Sequence, residues 1–321
     1  MNIQWELVRN NLSSVAVLAF ILGFLASRIK TDVRMPEPIY QFISIFLLFG
    51  IGLKGGYSLQ GLSISDFLAP SIATLLLGSA IPLLAFLLLG LVRQLTEIDR
   101  GAIAAHYGST SLVTFTATLL FLENSYIKVE GFATALLTIM EIPGIVVGIY
   151  LGSRHRSKKV RWGDTLREVV AGKTVLLLVG GLLIGVLTTH TGYEKVAPFF
   201  IDLQSGLLAF FLLNLGYLAG SNWSEIKGVG IPMGIFAILF PIFTGTLGIV
   251  VGNLIGLSLG GAVILGVLCS SASYIAAPAA VSVALPEAKA SLALILSIGV
   301  TFPFNLIIGI PLYLEIARLL N

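Results

Sequence analysis

Two short polar stretches interrupt apolar segments of the chain, and they contain the residue types of an ion-binding site. The first lies within AAHYGSTSLVTF, from Ala104, and the second within LCSSASYIAAPA, from Leu268. Their small polar residues are Gly108, Ser109, Thr110 and Ser111 in the first stretch, and Ser270, Ser271 and Ser273 in the second. Gly is a poor helix former, and Ser and Thr bond locally to the backbone, so each stretch favours a broken helix.

A broken helix inside a membrane can bind an anion. The N-terminus of a half-helix presents free N–H groups and a partial positive charge, and hydroxyl groups beside it add donors. Irregular backbone at this depth is tolerated only where it lines a cavity within the protein. The sequence therefore predicts that these small polar residues bind the substrate. The alternative is that they only let membrane helices pack closely, which fits one cluster better than two clusters at matching positions.

Glu141, in TIMEIPGIV, lies well inside an apolar segment, where a carboxylate needs a partner. Thr301 occupies the position 160 residues later, and Asn305 follows four residues on, on the same helical face. Carboxylate, hydroxyl and amide oxygens are ligands for a hard cation. We predict that Glu141, Thr301 and Asn305 bind sodium. The alternative is a proline kink at Pro143, with Glu141 protonated or directed to the cytoplasmic interface.

The composition of the 321-residue chain places these residues in a membrane. Hydrophobic residues make up 56% of the chain and charged residues 11%, with a mean hydropathy of +0.99. Soluble domains average about 25% charged residues, so a soluble fold would have too little polar surface. The basic residues form no stripe for nucleic acid, a single Cys excludes a disulfide framework, and the histidines are too dispersed for a metal cluster. Neither a cofactor nor a metal other than sodium is expected.

Ten apolar segments are long enough to span a bilayer as helices, which takes about 20 residues each. They are residues 12–30, 38–54, 66–92, 101–122, 132–152, 173–191, 199–219, 231–257, 261–285 and 290–316. The chain is therefore predicted to be an all-α polytopic membrane protein with ten transmembrane helices.

The two halves of the chain resemble each other at an offset of 160 residues. Ser111 matches Ser271 at this offset, and Pro143 matches Pro303. Two copies of five helices, an odd number, must lie inverted across the membrane, which is typical of secondary transporters. We predict a first five-helix repeat over residues 1–152, a cytoplasmic basic linker over residues 153–172 and a second, inverted repeat over residues 173–321, with broken helices at the midplane.

The basic residues predict the orientation of the chain. The connection over residues 153–172 is the most basic one, and placing it in the cytoplasm puts 14 Lys and Arg residues inside and 5 outside. Both termini then lie outside the cytoplasm. The expected location is the plasma membrane, here a bacterial inner membrane, which the chain crosses several times.

Four longer motifs follow one another along the chain: YGSTSLVTFTATLLFLE, LLTIMEIPGIVVG, SSASYIAAPAAVSVALPEAKASLAL and SIGVTFPFNLIIGIPLY. Together they resemble the sodium-dependent bicarbonate transporters of the SbtA type, over essentially the whole chain. The resemblance implies sodium symport of bicarbonate, a broken-helix site between inverted repeats, and a homotrimer. The characterised cyanobacterial members have an Asp where this sequence has Ser273, and a longer linker that is associated with a PII-like regulator.

The predicted function is sodium-coupled import of bicarbonate, with bicarbonate, sodium and the lipid bilayer as partners. A symporter of another small anion, such as a carboxylate, is the alternative, because Ser273 changes the charge of the site relative to those members. Regulation by a PII-like protein is left open. An enzyme is not expected, since the membrane segments offer no acid–base or metal constellation. No ATP-binding motif of the G-x-x-x-x-G-K-[ST] type occurs either.

Overall fold

The computed structural model describes residues 9, 11–154, 160–224 and 230–321, apart from the side chains of Ile64 and Ala290. This part of the chain is helical and contains no strand. Its first half has α1 (Val15–Arg28), α2 (Glu37–Ser58), α3 (Ile64–Leu89), α4 (Glu97–Gly108), α5 (Leu112–Asn124) and α6 (Ala133–Ser153). After the amphipathic α7 (Trp162–Val170), the second half has α8 (Lys173–Leu187), α9 (His190–Ser221), α10 (Ile231–Leu254), α11 (Leu259–Ser270), α12 (Ala276–Ala284) and α13 (Ser291–Leu320).

Helix length separates the candidate spans from the shorter helices. Six of the described helices are long and apolar enough to cross a bilayer, namely α2, α3, α6, α9, α10 and α13. A seventh span results if α7 and α8, which are bent by 48°, are counted together. α1 has 14 residues and falls short, and the fourth and ninth predicted segments are each divided into two short helices. The arrangement of ten helices in inverted repeats stays a prediction, and the predicted linker lies partly outside the described residues.

Both polar stretches interrupt a helix, as their composition predicts. Residues 109–111 separate α4 from α5, and residues 271–275 separate α11 from α12. Ser111 caps α5, because its hydroxyl accepts a hydrogen bond from the N–H of Thr114 at 3.2 Å. This bond satisfies one of the donors that the first turn of a helix leaves free.

The helices form two groups. α1 packs against α9, and α2 packs against α8, and we name these four helices the flanking group. α4 packs against α3 and α6, and α10 packs against α11; these helices, together with α5, α12 and α13, are the central group. The four short helices on either side of the two interruptions therefore all belong to the central group.

Small residues let α4 pack directly on α6. Gly144 lies against Gly108, and Gly148 lies against Ala105. A Cβ at Gly144 would overlap the carbonyl group of Gly108. Close backbone approach is the usual role of small residues between membrane helices. The contact fixes the end of α4, and hence the start of the first interruption, against α6.

Two carboxylates join the halves of the chain at opposite ends of the central group. Asp99, in the first turn of α4, accepts a hydrogen bond from the N–H of Lys289, before α13, at 2.8 Å. Glu130, before α6, accepts one from the N–H of Ser258, the N-cap of α11, at 2.6 Å. At an offset of 160 residues, position 99 corresponds to position 259, which is next to Ser258. Position 130 corresponds to position 290, which is next to Lys289. The two links thus lie within one residue of the offset of 160.

Replacing Gly144 by Ala should disrupt the packing of α4 on α6. The added methyl group meets main-chain atoms, which cannot rotate away, so we expect a loss of stability of about 1–3 kcal/mol or more. The measurement is the midpoint of thermal unfolding in detergent. Gly180, in α8, is the matched control, because no atom lies within 4 Å of the position of its Cβ, and Gly180→Ala should leave the midpoint unchanged or raise it. Equal midpoints for the two variants would contradict the packing.

Candidate functional site

The two interruptions meet inside the central group. The N–H of Ser273 donates a hydrogen bond to the carbonyl oxygen of His106 at 2.7 Å, so the second interruption contacts the last turn of α4. The hydroxyl of Ser273 accepts a hydrogen bond from the N–H of Ala277 at 3.3 Å, in the first turn of α12. These bonds satisfy backbone groups that the interrupted helices leave without a helical partner.

A small cavity, which we name the inner cavity, lies where the interruptions meet. Its volume is about 10 Å³, enough for one water-sized particle. Its wall consists of Thr110, Ser111 and Leu112 at the first interruption, Leu137 and Glu141 on α6, Thr174 and Leu178 on α8, and Ser273, Tyr274 and Ile275 at the second interruption. Because α8 belongs to the flanking group, the inner cavity lies on the boundary between the two groups of helices.

Hydrogen bonds link the polar groups of the inner cavity. The hydroxyl of Thr110 donates to Oε2 of Glu141 at 2.6 Å. The hydroxyl of Ser111 donates to the hydroxyl of Tyr274 at 3.2 Å. All of these side chains are buried. A carboxylate and several hydroxyls in one buried cavity provide oxygen ligands for a cation and hydroxyl donors for an anion.

The structure brings three of the predicted substrate residues to the inner cavity, namely Thr110, Ser111 and Ser273. Ser270 and Ser271 are also buried, but their hydroxyls donate to the carbonyl oxygen of Val267 in their own helix, at 3.1 and 2.6 Å. Composition alone does not distinguish these two serines from Ser273. Their side chains stabilise the end of α11 and do not line the inner cavity.

Gly108 and Ser109 lie at the edge of the first interruption. Gly108 packs against Gly144 and Pro82, and a Cβ there would meet both within 3 Å, so its contribution is the position of the backbone. The Ser109 hydroxyl is buried beside the carboxylate of Glu141, where it adds a second hydroxyl next to that of Thr110.

Thr301 and Asn305, both on α13, tie that helix to its neighbours. The hydroxyl of Thr301 is hydrogen-bonded to the hydroxyl of Tyr107 at 2.6 Å and donates to the carbonyl oxygen of Ala237 at 2.8 Å. The side-chain amide of Asn305 donates to the carbonyl oxygen of Ser270 at 2.8 Å, at the end of α11. Both side chains therefore hold the helices around the interruptions together.

Glu141 does not share a hydrogen-bonded cluster with Thr301 and Asn305. No hydrogen bond of the described residues joins Glu141 to either one, and neither residue lines the inner cavity. The prediction placed Thr301 at the repeat position of Glu141, but the side chains of Thr301 and Asn305 bond to Tyr107, Ala237 and Ser270 instead. The observed neighbour of the carboxylate is Thr110, which the sequence had indicated only for the anion.

Other residues complete the inner cavity without having been predicted. Tyr274 directly follows Ser273, so its place within the serine-rich stretch was an available signal. Thr174 and Leu178 lie on α8, where no local pattern distinguishes them from the rest of an apolar helix. The carbonyl oxygen of His106 was missed as well, because a backbone acceptor leaves no signature in the sequence.

Comparison with known families gives a match over nearly the whole chain. The family model described as the Na⁺-dependent bicarbonate transporter superfamily matches residues 15–318, nearly the whole chain. The chain belongs to this superfamily. No curated protein gives a significant match to the chain. As a superfamily member with several helices apolar enough to span a bilayer, the chain is a multi-pass membrane transporter.

The hydrogen bond between Thr110 and Glu141 should appear as a coupling in a double-mutant cycle. Thr110→Val removes the hydroxyl that bonds the carboxylate, and a buried hydrogen bond of this kind contributes about 1–3 kcal/mol. The substitution should therefore lower the thermal stability of the unmodified chain and have little further effect in a Glu141→Leu background.

Thr116→Val is the control for this cycle, because the hydroxyl of Thr116 donates to the carbonyl oxygen of Leu112 within its own helix. Its effect should add to that of Glu141→Leu. If the effects of Thr110→Val and Glu141→Leu on the free energy of unfolding were also additive, the two side chains would not interact.

Proposed function

We propose that the chain is a secondary active transporter that imports bicarbonate together with sodium across the plasma membrane. One observation carries the proposal: the two interruptions meet, and the hydroxyls of Thr110, Ser111 and Ser273 lie around one cavity with the carboxylate of Glu141. Membership of the Na⁺-dependent bicarbonate transporter superfamily supports the choice of sodium and bicarbonate as the two ions.

The anion binds at the interruptions. α5 and α12 both begin there, so the free N–H groups and partial positive charges of two helix N-termini converge on the same place. The hydroxyls of Thr110, Ser111 and Ser273 add donors for the oxygen atoms of bicarbonate. The remaining substrate residues, Gly108, Ser109, Ser270 and Ser271, shape the helix ends around the anion.

Sodium binds beside Glu141. The carboxylate supplies a negative charge and the hydroxyl of Thr110 a second oxygen, and such ligands suit a hard cation. Thr301 and Asn305 lie outside the lining of the inner cavity and hold neighbouring helices, so they reach a sodium ion at Glu141 only if these helices rearrange. Glu141 therefore carries the sodium part of the proposal.

Electrostatics couples the two ions. An ionised Glu141 repels an anion held close to it, and two unit charges 4 Å apart interact by about 4 kcal/mol at an effective dielectric constant near 20. Bound sodium offsets this repulsion and strengthens anion binding. Because linkage is reciprocal, the anion raises the affinity for sodium by the same factor.

Movement between the two groups of helices gives access to the site. The inner cavity has room for one water-sized particle, so bicarbonate requires it to widen. Its wall includes α8 of the flanking group as well as α5 and α6 of the central group. Separation of the groups at one end or the other would open the cavity to one side of the membrane at a time, as alternating access requires.

The proposed architecture around this site is ten helices in two inverted five-helix repeats, with the interruptions at the midplane and both termini outside the cytoplasm. The distribution of 14 basic residues inside and 5 outside supports the orientation. The links from Asp99 to Lys289 and from Glu130 to Ser258 support the repeat. A homotrimer is proposed from the resemblance alone, and regulation by a PII-like protein is left open.

Uptake into proteoliposomes tests the function. Labelled bicarbonate should accumulate when sodium is higher outside than inside, and replacement of sodium by choline should abolish the accumulation. A sodium-coupled symporter of another small anion is the alternative, because donors from hydroxyl and N–H groups also recognise a carboxylate. Sodium-driven accumulation of labelled acetate instead of bicarbonate would establish that alternative, and bicarbonate uptake that ignores sodium would refute symport.

Glu141→Gln should weaken the response to sodium more than the response to the anion. The amide keeps the size of the side chain and removes its charge, so the sodium concentration for half-maximal uptake should rise about tenfold, equivalent to about 1.4 kcal/mol. The anion concentration for half-maximal uptake at saturating sodium should change less. Glu37→Gln, at an exposed carboxylate at the start of α2, is the control and should behave as the unmodified chain. Unchanged sodium dependence in Glu141→Gln would make Glu141 a structural residue at a proline kink.

A further inference from the structure

A second, larger cavity opens at the end of the molecule away from the basic linker. Its volume is about 570 Å³, and it lies between α2 and the junction of α5 with α6. Charged residues of both signs line it, namely Lys54, Glu123, Lys128 and Glu130. We name it the outer vestibule. The proposed binding of the two ions takes place at the interruptions and assigns no role to this cavity.

The outer vestibule lies in line with the inner cavity along two helices. On α5, Leu112 lines the inner cavity and Leu119 lines the vestibule. On α6, Glu141 lines the inner cavity and Thr134 lines the vestibule. Residues seven apart lie on one face of a helix, two turns or about 10 Å from each other. The same spacing of seven residues on both helices places the outer vestibule and the inner cavity one above the other along the helix axes.

A stripe of buried polar residues on α6 joins the two cavities. Thr134, Thr138 and Glu141 lie at intervals that place them on one helical face, and all three are buried. The hydroxyl of Thr138 donates to the carbonyl oxygen of Thr134 at 3.0 Å. Threonines bonded back to their own helix are common and do not by themselves mark a path. This stripe, however, begins at one cavity and ends at the carboxylate in the other.

A close contact closes the floor of the outer vestibule. Gly55 of α2 lies against Thr134, and a Cβ at Gly55 would overlap the side chain of Thr134. α2 belongs to the flanking group and α6 to the central group. The contact therefore lies on the same boundary as the inner cavity, and movement of one group away from the other would open it.

We propose that the outer vestibule is the entrance through which sodium and the anion reach the inner cavity, with the Gly55–Thr134 contact as its closed gate. The inference rests on the proposed function, because it names the route of the two ions of that symport. The entrance carries ammonium and carboxylate groups together, so its field excludes neither the cation nor the anion. The hydroxyl of Thr134 at the gate and that of Thr138 beyond it offer oxygen atoms to sodium on its way to Glu141.

Single cysteines test this route. A small, membrane-impermeant methanethiosulfonate reagent is applied to right-side-out membrane vesicles that contain Ser58→Cys in the vestibule wall or Thr134→Cys at the gate. Thr191→Cys, at an exposed position on α9 outside the vestibule lining, is the matched control. Arg161→Cys reports access from the linker end, and the unmodified chain, whose native Cys269 is buried, gives the background. Labelling is read as an increase in mass, and uptake is measured in the same vesicles.

If the outer vestibule is the entrance, reagent outside the vesicles should label Ser58→Cys, Thr134→Cys and Thr191→Cys. The same reagent should not label Arg161→Cys. The adduct at Thr134→Cys should lower sodium-dependent uptake about tenfold or more, because it fills a passage of ionic width, while the adduct at Thr191→Cys should leave uptake unchanged. Sodium and bicarbonate together should slow the labelling of Thr134→Cys by occupying the passage.

Two results would contradict the proposed entrance. The first is uptake that persists after Thr134→Cys is labelled, and the second is a Thr134→Cys variant that stays unlabelled while Ser58→Cys reacts. The proposed function fails separately, if the unmodified chain shows no sodium-dependent uptake. In that case the rate of labelling still tests the entrance. Slower labelling of Thr134→Cys with sodium present supports the entrance, and a labelling rate that neither ion changes contradicts it.

Discussion

Backbone polar groups inside a bilayer must find partners within the protein, and the rest of this structure depends on how two interrupted helices meet that constraint. The partners come from the other interruption, from α13 and from the interruption's own residues. The N–H of Ser273 bonds the carbonyl oxygen of His106, and the amide of Asn305 bonds the carbonyl oxygen of Ser270 at the end of α11. Ser111 caps α5 with its hydroxyl. These contacts stabilise the interruptions, and the donors and acceptors that remain line the inner cavity, where the proposed ions would bind.

Close packing of helices around the interruptions forms a defined cavity. The carbonyl group of Gly108 lies against Gly144, and Glu141 stands less than one turn before Gly144 on the same helix. The contact that holds the end of α4 therefore also places the Glu141 carboxylate beside Thr110. Thr174, from the flanking group, completes the wall, so movement of the two groups of helices away from each other would widen the cavity.

Hydropathy and poor helix formers were enough to predict an all-helical membrane protein and both interruptions. They could not predict which side chains meet. Ser270 and Ser273 have the same chemistry, and only the end of α11 decides that one hydroxyl bonds within its helix while the other lines the cavity. Glu141 bonds Thr110 on another segment, through packing that no local pattern encodes. The partners of Thr301 and Asn305 likewise depend on neighbouring helices, and hydropathy alone did not reveal that α1 falls short of a full span.

The central claim is that sodium and the anion bind in one cavity formed by the two interruptions. The most direct measurement is the affinity of the purified protein for sodium, determined by calorimetry with and without saturating bicarbonate, and the affinity for bicarbonate with and without sodium. The account predicts that each ion raises the affinity for the other by the same factor, in the range of about 5 to 150 that is typical of coupled sites. A sodium affinity that does not change when bicarbonate is bound would contradict a shared cavity.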